Sequence, residues 1–358
     1  MKKKVFFIPF ALLSLLSFAS CENTSNKFRP TYGSEIDTGV IDITYSDLYT
    51  KNLNEEAMIV ATYPGKNTHC SCWLTFRDVI LPQFAQNSNV MIYAVDVFDI
   101  MGQDETYKLV LADKEPTIAL FKDGKKYDQY IYSTKDPQPF FKKIDAFNEF
   151  INKNIAEPQL IYTNLEKVKE NKAKEEEYIV QYTYHSCPDC SYCLPNVMSP
   201  FALNHDMKNK VHIVDLEMEE DLVDSEGRID KTSENYLNFK KQFGLSLEGN
   251  STFGYVGGVV PTIHYYKNGL LSDASVYFND TISEVNGKYV VTESFYSEER
   301  VSNLKYLTDI EHTVLEGLEL SLEELTIYEE YNYIAWNQKE AAKYHTPLLE
   351  GFLKTYTL

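Results

Sequence analysis

The chain has 358 residues, of which 44% are hydrophobic, and its formal net charge is −19. This length allows two domains with cores of ordinary size, and the hydrophobic content is typical of folded rather than disordered proteins. The negative charge argues against nucleic acid as a partner, because phosphates are bound by basic surfaces, and it indicates a solvated acidic exterior.

The first residues have the pattern of an export signal. Three lysines follow Met1, the apolar stretch runs only from Val5 to Leu16, and small residues precede Cys21. Such a stretch is too short to span a bilayer. Residues 1–20 are therefore predicted to be a signal peptide.

Residues 17–21 resemble a bacterial lipobox, with Phe18 at the position where Leu is usual. We therefore expect Cys21 to be the lipidated first residue of a mature protein that is anchored to the cell membrane on its extracytoplasmic side. An ordinary signal cut nearby, which would release a secreted protein, is the alternative. Residues 21–39 are polar and without periodicity, which predicts a flexible tether.

Residues 40–157 contain a first set of alternating strand and helix patterns. In chain order these are a strand at 41–44, a short helix, the strand Ala57–Tyr63, the cluster Cys70-Ser71-Cys72, an amphipathic helix with Leu74, Phe76, Val79, Ile80 and Phe84 on one face, the strand Asn89–Asp96, a strand between Pro116 and Gly124, and the helix Phe140–Ile155. Glu157-Pro158 is the predicted boundary.

Residues 158–358 repeat this order. The matching segments are Leu160–Thr163, Asn164–Lys174, Tyr178–Tyr184, the pair Cys187 and Cys190 with the helix that follows, Lys210–Asp215, and Pro261–Gly269. In each unit, a strand–helix–strand–helix–strand order followed by a hairpin and a final helix predicts a mixed sheet with helices on both faces. The predicted fold class is therefore α/β.

The second unit has two predicted insertions. One, at about 217–258, is acidic and glycine-rich and contains a helical pattern at 234–243. The other covers about 280–345, is rich in aromatic residues, and precedes a closing helix Leu348–Tyr356 that Thr346-Pro347 would open. We expect this C-terminal insertion to pack on the domain edge; covering the active site or gripping a partner is the alternative.

The most informative motif is the C-x-x-C sequence of Cys187 and Cys190. It follows the apolar run Tyr178–Tyr182 and precedes apolar residues at helical spacing, which predicts strand, turn and helix. A thiolate at a helix N-terminus faces unpaired N–H groups and the positive end of the helix dipole, so Cys187 is the predicted attacking sulfur. Cys190, one turn further, would lie within disulfide reach and resolve the mixed disulfide.

Together with Val260-Pro261-Thr262, this motif resembles the thioredoxin superfamily. In that family the matching proline is cis and lies against the C-x-x-C motif, which implies this role for Pro261. The resemblance covers nearly all of residues 41–280 and implies two tandem thioredoxin-like domains, arranged similarly to those of protein disulfide isomerases. Gln181 departs from the family, which usually has a buried Asp there, and this puts the proton acceptor for the second thiol in doubt.

Cys70 and Cys72 occupy the redox position of the first unit, with Pro116 as the matching proline. A C-x-C disulfide closes a small strained ring and should be easily reduced, so these residues are a candidate second redox centre. His69 would favour the thiolate, whereas the negative charge of Glu115 would disfavour it. A first unit kept only for structure or binding is the alternative.

Cys193 extends the second motif to C-x-x-C-x-x-C. With His185, the three cysteines could hold zinc, because four soft ligands suit that metal. The predicted export and the proline pattern favour thiol chemistry instead, with no metal and no other cofactor. In that case Cys193 is a buried hydrophobic residue or an auxiliary thiol. Residues interpreted as ordinary packing or surface residues are His205, His212, His264, His312, His345, Trp73 and Trp336.

These features predict an extracytoplasmic, membrane-anchored thiol–disulfide oxidoreductase. Its partners would be exported proteins that carry thiols or disulfides, together with a membrane redox partner. The direction of exchange is open: Pro188 resembles the oxidant families, whereas the charge of Asp189 disfavours the thiolate and favours a reducing role. The competing interpretations are a binding or adaptor lipoprotein without turnover and a zinc-binding module.

Overall fold

The structure is a computed structural model, and it describes residues 27–36, 39–54, 56–64, 71–86, 88–100, 115–135, 138–255, 261–308, 314–328 and 333–358. The predicted signal peptide, the lipidation site Cys21 and the candidate redox residue Cys70 lie outside these ranges. Within the ranges, the structure has no helix that is both long and apolar enough to cross a membrane.

The first half of the chain, residues 40–157, contains a mixed sheet. The strands in this part and just before it are β1 (Tyr32–Ser34), β2 (Val40–Asp42), β3 (Met58–Tyr63), β4 (Ile92–Asp96), β5 (Thr117–Lys122) and β6 (Lys125–Ile131). The sheet order is β2-β4-β3-β5-β6. β2 and β3 run parallel to β4, whereas β5 and β6 are antiparallel to their neighbours. The mostly apolar sequence of β3 is typical of a strand that is covered on both faces.

The second half, residues 158–358, repeats this sheet. Its strands are β7 (Leu160–Thr163), β8 (Glu177–Thr183), β9 (Val211–Asp215), β10 (Thr262–Lys267) and β11 (Leu270–Val276). They follow the order β1-β7-β9-β8-β10-β11. β7 and β8 are parallel to β9, and β10 and β11 are antiparallel to their neighbours. The predicted mixed α/β class is confirmed, and β7 to β11 have the same order and directions as β2 to β6.

The prediction of a flexible tether is wrong for residues 27–36. β1 is buried along its length and runs parallel to β7, with Tyr32 opposite Leu160. Before it, the N–H of Phe28 donates to the carbonyl of Asn154 at 2.8 Å. A strand of this length is too short to show periodicity, and its conformation is fixed by contacts with distant segments, so the sequence pattern does not reveal it.

Helices cover both faces of the first sheet. They are α1 (Tyr45–Leu53), α2 (Ser71–Thr75), a π-helical turn (Phe76–Ile80), α3 (Leu81–Ala85), α4 (Val97–Ile100), a 3-10 turn (Pro139–Phe141) and α5 (Ile144–Asn154). Phe84 of α3 and Phe147 of α5 pack with Ile59 on one face. Leu48 of α1 packs with Val60 on the other face. Successive side chains of β3 thus point to opposite faces, as the pleat of a strand requires.

The second sheet is covered in the same way. Its helices and turns are α6 (Leu165–Lys174), α7 (Pro188–Cys193), a π-helical turn (Leu194–Met198), α8 (Ser199–Asn204), 3-10 turns (Leu216–Met218, Glu220–Leu222, Lys305–Leu307 and Leu322–Glu324), α9 (Glu234–Gln242), α10 (Glu298–Val301) and α11 (Gln338–Thr357). Val168 of α6 and Phe239 of α9 pack on one face. Phe201 of α8 and Phe352 of α11 pack on the other, in a cluster that also contains Val60 of the first sheet. The core is therefore continuous between the two halves.

The two insertions differ in structure. The helix predicted at 234–243 is confirmed by α9. The C-terminal insertion forms two small antiparallel sheets, made by β12 (Thr281–Val285), β13 (Lys288–Glu293) and β14 (Glu319–Leu320), and by the hairpin of β15 (Leu325–Tyr328) and β16 (Tyr333–Trp336).

The closing helix begins earlier than predicted, because Pro347 lies inside α11 rather than at its start. Asn337 is the N-cap, and its side-chain oxygen accepts hydrogen bonds from two N–H groups of the first turn, at 3.1 and 3.4 Å. Thr346-Pro347 is a start signal in isolation. Here the burial of Ala341 before the proline and of Phe352 after it keeps the helix continuous.

Candidate active site

Cys187 is the N-cap of α7. Its backbone is extended, with φ −78° and ψ 121°. Its Sγ accepts a hydrogen bond from the N–H of Cys190 at 3.4 Å. Pro188 fills the first helical position, where the N–H it lacks would have no partner within the helix. The predicted placement of Cys187 at a helix N-terminus is therefore confirmed.

The thiols of Cys187 and Cys190 differ in acidity. Hydrogen bonding from Cys190 lowers the pKa of Cys187, against the opposing effects of burial and of the charge of Asp189. Burial raises the pKa of Cys190 well above its usual range, and the neighbouring Cys187 adds to this effect. Cys187 consequently has the greater thiolate character, and Cys190 keeps its proton. An attacking thiol and a resolving thiol need this division.

Both cysteines are buried, and residues of the first insertion are part of their surroundings. Cys187 is 5% exposed and Cys190 is 1% exposed. They belong to the same hydrophobic cluster as Tyr236 and Phe239 of α9, two residues that we call the cysteine cover. Burial, with smaller contributions from the charges of the two cysteines, raises the pKa of Tyr236 to about 12. Tyr236 and Phe239 thus belong to the apolar surroundings in which the two cysteines are buried.

Asp189 connects the motif to the C-terminal insertion. Its Oδ1 accepts a hydrogen bond from Nε2 of Gln338, at the start of α11, at 2.7 Å. Burial raises the pKa of Asp189, and the hydrogen bond from Gln338 opposes this effect. The expectation that this insertion packs only on the domain edge is therefore wrong. No local pattern could reveal the contact, since the two residues are 149 positions apart.

The four candidate zinc ligands are not brought together. The Nδ1 of His185 lies 2.5 Å from Oε2 of Glu217 and 3.3 Å from Oδ2 of Asp215. In the described part of the chain, these three residues are the group whose ligand atoms lie within 4.8 Å of one another and could hold a metal ion. The N–H and hydroxyl of Ser186 already bind Glu217. Cys193 is fully buried, and burial raises the pKa of its thiol, so its auxiliary role stays a prediction.

Pro261 lies at the same edge of the second sheet as the cysteine pair. The next residue, Thr262, is opposite Tyr182 of β8, the strand that leads to Cys187. The carbonyl of Pro261 accepts a hydrogen bond from the N–H of Tyr277 at 3.0 Å. The residue before the proline lies outside the described ranges, so the contact of Pro261 with the motif stays a prediction.

A polar cavity of about 290 Å³ lies beside Cys190, and Thr183, Asp215 and Glu56 also line it. Thr183 is directly opposite Asp215 on the adjacent strand. Burial raises the pKa of both Asp215 and Glu56. Gln181 is buried, and neither its amide oxygen nor its amide nitrogen has a hydrogen-bond partner. Because an amide is not a base at neutral pH, Asp215, Glu56 and His185, which line this cavity, are the candidate proton acceptors for Cys190.

In the first half, Pro116 accepts the same backbone hydrogen bond as Pro261, but the cysteine has different neighbours. Cys72 lies in α2, is 6% exposed and is disulfide-bonded. Its Sγ is 4.0 Å from Oε2 of Glu115. The carbonyl of Pro116 accepts a hydrogen bond from the N–H of Tyr132 at 2.9 Å, as Pro261 does in the second half. Whether Cys72 belongs to a second redox centre stays a prediction, since Cys70 lies outside the described residues.

No family model and no curated protein matches this chain. Among solved structures, thioredoxin NaTrxh from Nicotiana alata is 19% identical over 33% of this chain and 93% of its own, with a TM-score of 0.23. Zinc-bound human ERp44 is 16% identical over 49% of this chain and 45% of its own, with a TM-score of 0.22. The bb fragment of ERp72 is 12% identical over 70% of this chain and 91% of its own, with a TM-score of 0.30. These likenesses are distant, and the proposals below rest on strand order and cysteine geometry.

Proposed function

We propose that this protein is a thiol–disulfide oxidoreductase whose reacting pair is Cys187 and Cys190. The geometry of the pair carries the proposal: Cys187 caps a helix and has a lowered pKa, whereas Cys190 is buried in the next turn and has a raised pKa. The repeated strand order supports two tandem thioredoxin-like domains, at 40–157 and 158–358. The export signal and Cys21 support a lipid anchor on the extracytoplasmic side of the membrane.

In the reducing direction, the Cys187 thiolate attacks one sulfur of a substrate disulfide. A disulfide forms between Cys187 and the substrate, and the other substrate sulfur leaves as a thiolate. Cys190 then gives up its proton, attacks the sulfur of Cys187 and releases the second substrate thiolate. Two electrons pass from the dithiol to the substrate, and a Cys187–Cys190 disulfide remains. Oxidation is the reverse reaction, and the reduction potential of the pair relative to its partner decides the direction.

The resolving step requires a base for the proton of Cys190, and Asp215 is the best placed one. Its carboxylate lines the cavity beside Cys190, and its raised pKa brings it closer to the pH at which it would act. Its Oδ2 is 3.3 Å from Nδ1 of His185, whose side chain is 69% exposed. In this proposal Asp215 accepts the proton of Cys190 and passes it through His185 to solvent.

Trapping of the mixed disulfide tests the proposal. Cys190→Ser removes the resolving thiol, so after incubation with a protein that has one accessible disulfide, a stable adduct at Cys187 is expected by mass spectrometry. The double variant Cys187→Ser/Cys190→Ser should form no adduct. Cys193→Ala is the matched control and should turn over without accumulating an adduct. The absence of any adduct with Cys190→Ser would refute the proposal.

A second candidate function, a binding lipoprotein without turnover, is favoured by the 5% exposure of Cys187. Alkylation of the folded protein separates the two functions. An oxidoreductase must open often enough for iodoacetamide to modify Cys187 within minutes to hours, whereas a pure binding protein can keep the thiol protected for as long as the fold persists.

The anchor and the partners are part of the same proposal and have their own test. Cys21→Ala should move the protein from the membrane fraction to the soluble extracytoplasmic fraction, because one lipid-bearing residue is the only proposed membrane attachment. Mass spectrometry of the mature N-terminus should find acylated Cys21. The expected partners are exported proteins with thiols or disulfides and a membrane protein that renews the redox state of the pair.

A further inference from the structure

A groove of about 780 Å³ begins at the cysteine motif and ends at the hairpin of β15 and β16. Pro188 and Asp189 of the motif line it, together with Asn337, Gln338 and Lys339 at the N-terminus of α11. This volume is sufficient for several side chains of a peptide. The groove is made by the C-terminal insertion, and no step of the thiol exchange described above uses it.

Two buried polar groups along this groove lack hydrogen-bond partners. Asp280 lines the groove, its side chain is 3% exposed, and its Oδ1 has no partner, whereas its Oδ2 is 2.6 Å from Nε2 of His345. Trp336 also lines the groove, and its indole N–H has no partner. Buried polar groups are nearly always hydrogen bonded, so an unpaired carboxylate oxygen and an unpaired N–H beside an open groove point to a ligand that supplies both partners.

The charged and aromatic side chains that line the groove indicate the chemistry of that ligand. Asp189 lies near Asp280, whose negative charge contributes to raising the pKa of Asp189. At the mouth, Tyr328 and Tyr333 are 45% and 57% exposed and stack with ring centroids 6.0 Å apart. Carboxylates at the base of an aromatic groove attract a cation, through charge-assisted hydrogen bonds and through the faces of the rings. Lys339 is the one cationic residue among the described lining residues.

We propose that this groove binds an arginine or lysine side chain of a polypeptide substrate, with the charged group at Asp280 and the stem along the rings of Tyr328 and Tyr333. This inference rests on the proposed function, because it names the substrate class of the same site: an exported protein that carries a basic residue close to its reacting cysteine. The carbonyl groups of the substrate backbone provide acceptors for the indole N–H of Trp336. If the groove results only from imperfect packing of the insertion, Oδ1 of Asp280 stays without a partner and the groove binds no cation.

Fluorescence anisotropy with labelled peptides that lack cysteine measures this binding separately from thiol exchange. Three peptides differ at one central position, which holds arginine, its uncharged analogue citrulline, or glutamate. We expect the arginine peptide to bind the full-length protein roughly tenfold more tightly than the citrulline peptide, and the glutamate peptide to bind most weakly. Exchange activity towards the small disulfide of oxidised glutathione, measured in parallel, reports on the proposed function alone.

Two variants test whether the cation binds in this groove. Asp280→Asn keeps the shape of the side chain and should reduce the preference for arginine over citrulline to about twofold or less. Tyr333→Ala removes an exposed ring that is not in the core, so this variant should fold even if Asp280→Asn does not. Its affinity for the arginine peptide should be severalfold lower than that of the wild type. Glu226→Gln, an exposed acid far along the chain from the groove, is the matched charge control and should keep the wild-type preference.

Each outcome decides the proposal. Equal binding of the arginine and citrulline peptides would overturn it and would assign the groove to an uncharged apolar segment. A preference for arginine that survives both Asp280→Asn and Tyr333→Ala would also overturn it, because the cation would then bind elsewhere. If arginine is preferred and both variants reduce the preference while glutathione exchange is absent, the groove proposal stands and the proposed function fails.

Discussion

In each half of the molecule, a short helix follows the central strand, passes into a π-helical turn and continues past a proline, Pro82 in the first half and Pro200 in the second. When the two helices are aligned on their π-helical turns, Cys72 has the position of Cys190, and no cysteine of the first half has the position of Cys187. In the sequence, the first half therefore has a cysteine at the position of the proposed resolving thiol, and His69 at the position of the proposed attacking thiol.

Cys72 and Cys190 also differ in whether a carboxylate lies in a cavity beside them. Asp96 is opposite Tyr63 in the first sheet, as Asp215 is opposite Thr183 in the second. The cavity beside Asp215 includes Cys190, whereas Cys72 is not among the described residues that line the cavity beside Asp96. Tyr63 thus has the strand position of Thr183, and its hydroxyl donates a hydrogen bond to Asp42. The two halves share the backbone scaffold, whereas the side chains around their cysteines differ.

The largest expected effect concerns the attacking sulfur. Cys187→Ser should reduce insulin reduction by dithiothreitol-regenerated protein to the background rate, because the second half then has no thiolate at its helix N-terminus. Cys72→Ser should retain most of the activity, since the first half lacks a thiol at that position. Loss of activity in Cys72→Ser with normal activity in Cys187→Ser would reverse the assignment of the two halves.

The matched aspartates give the next largest effect. Asp215→Asn should slow the decay of the mixed disulfide roughly 10²-fold at neutral pH in single-turnover measurements, because the general base for Cys190 is lost. Asp96→Asn, at the equivalent position of the first sheet, should leave this decay unchanged. If Glu56→Gln slows the decay and Asp215→Asn does not, the other carboxylate of the cavity is the base.

A third difference is the cysteine cover, Tyr236 and Phe239, which lies in the first insertion of the second half. Tyr236→Ala should increase the rate of alkylation of Cys187 by iodoacetamide about tenfold, which corresponds to removing about 1.4 kcal/mol of local packing. Leu237→Ala is the control, because this neighbour on the same helix is 52% exposed. An unchanged alkylation rate in Tyr236→Ala would show that the cover does not limit access to the sulfur.

The smallest expected effect is on the pH dependence of Cys187. Cys190→Ala removes the hydrogen bond that contributes most to lowering the pKa of Cys187, so the midpoint of the alkylation profile should move to higher pH, with a severalfold loss of rate on its acidic side. Cys193→Ala should leave the midpoint in place. A midpoint that does not move in Cys190→Ala would assign the lowered pKa to the helix N-terminus alone.

The same lowered pKa links the charge of Cys187 to stability. Because the pKa in the folded protein lies below that of the unfolded chain, about 8.5, the thiolate stabilises the fold fully above that pH. The contribution is lost as the pH falls through the lower folded value. Comparison of wild type with Cys187→Ser by chemical denaturation at several pH values, under reducing conditions, measures this contribution directly.

The placement of Cys187 could be predicted because it depends on local sequence, an apolar strand followed by a turn and apolar residues at helical spacing. The start of α11 could have been recognised from Asn337, a strong N-cap residue, had Thr346-Pro347 not given a second start signal further on. The contacts of Asp189 with Gln338 and of Asp280 with His345 join residues 149 and 65 positions apart. Such pairs are created by packing of the insertions, and no local pattern encodes them.

The strand β1 has a further consequence for where the protein can act. Phe28 is hydrogen bonded to the first half and Tyr32 pairs with the second sheet, so the chain joins the folded body from Phe28 onward. If Cys21 carries a lipid, the segment 22–27 can span at most roughly 22 Å even when fully extended. The folded body then stays within that short distance of the bilayer. Disulfides within reach of the membrane surface would be accessible to Cys187, and those of freely diffusing proteins would have to come to it.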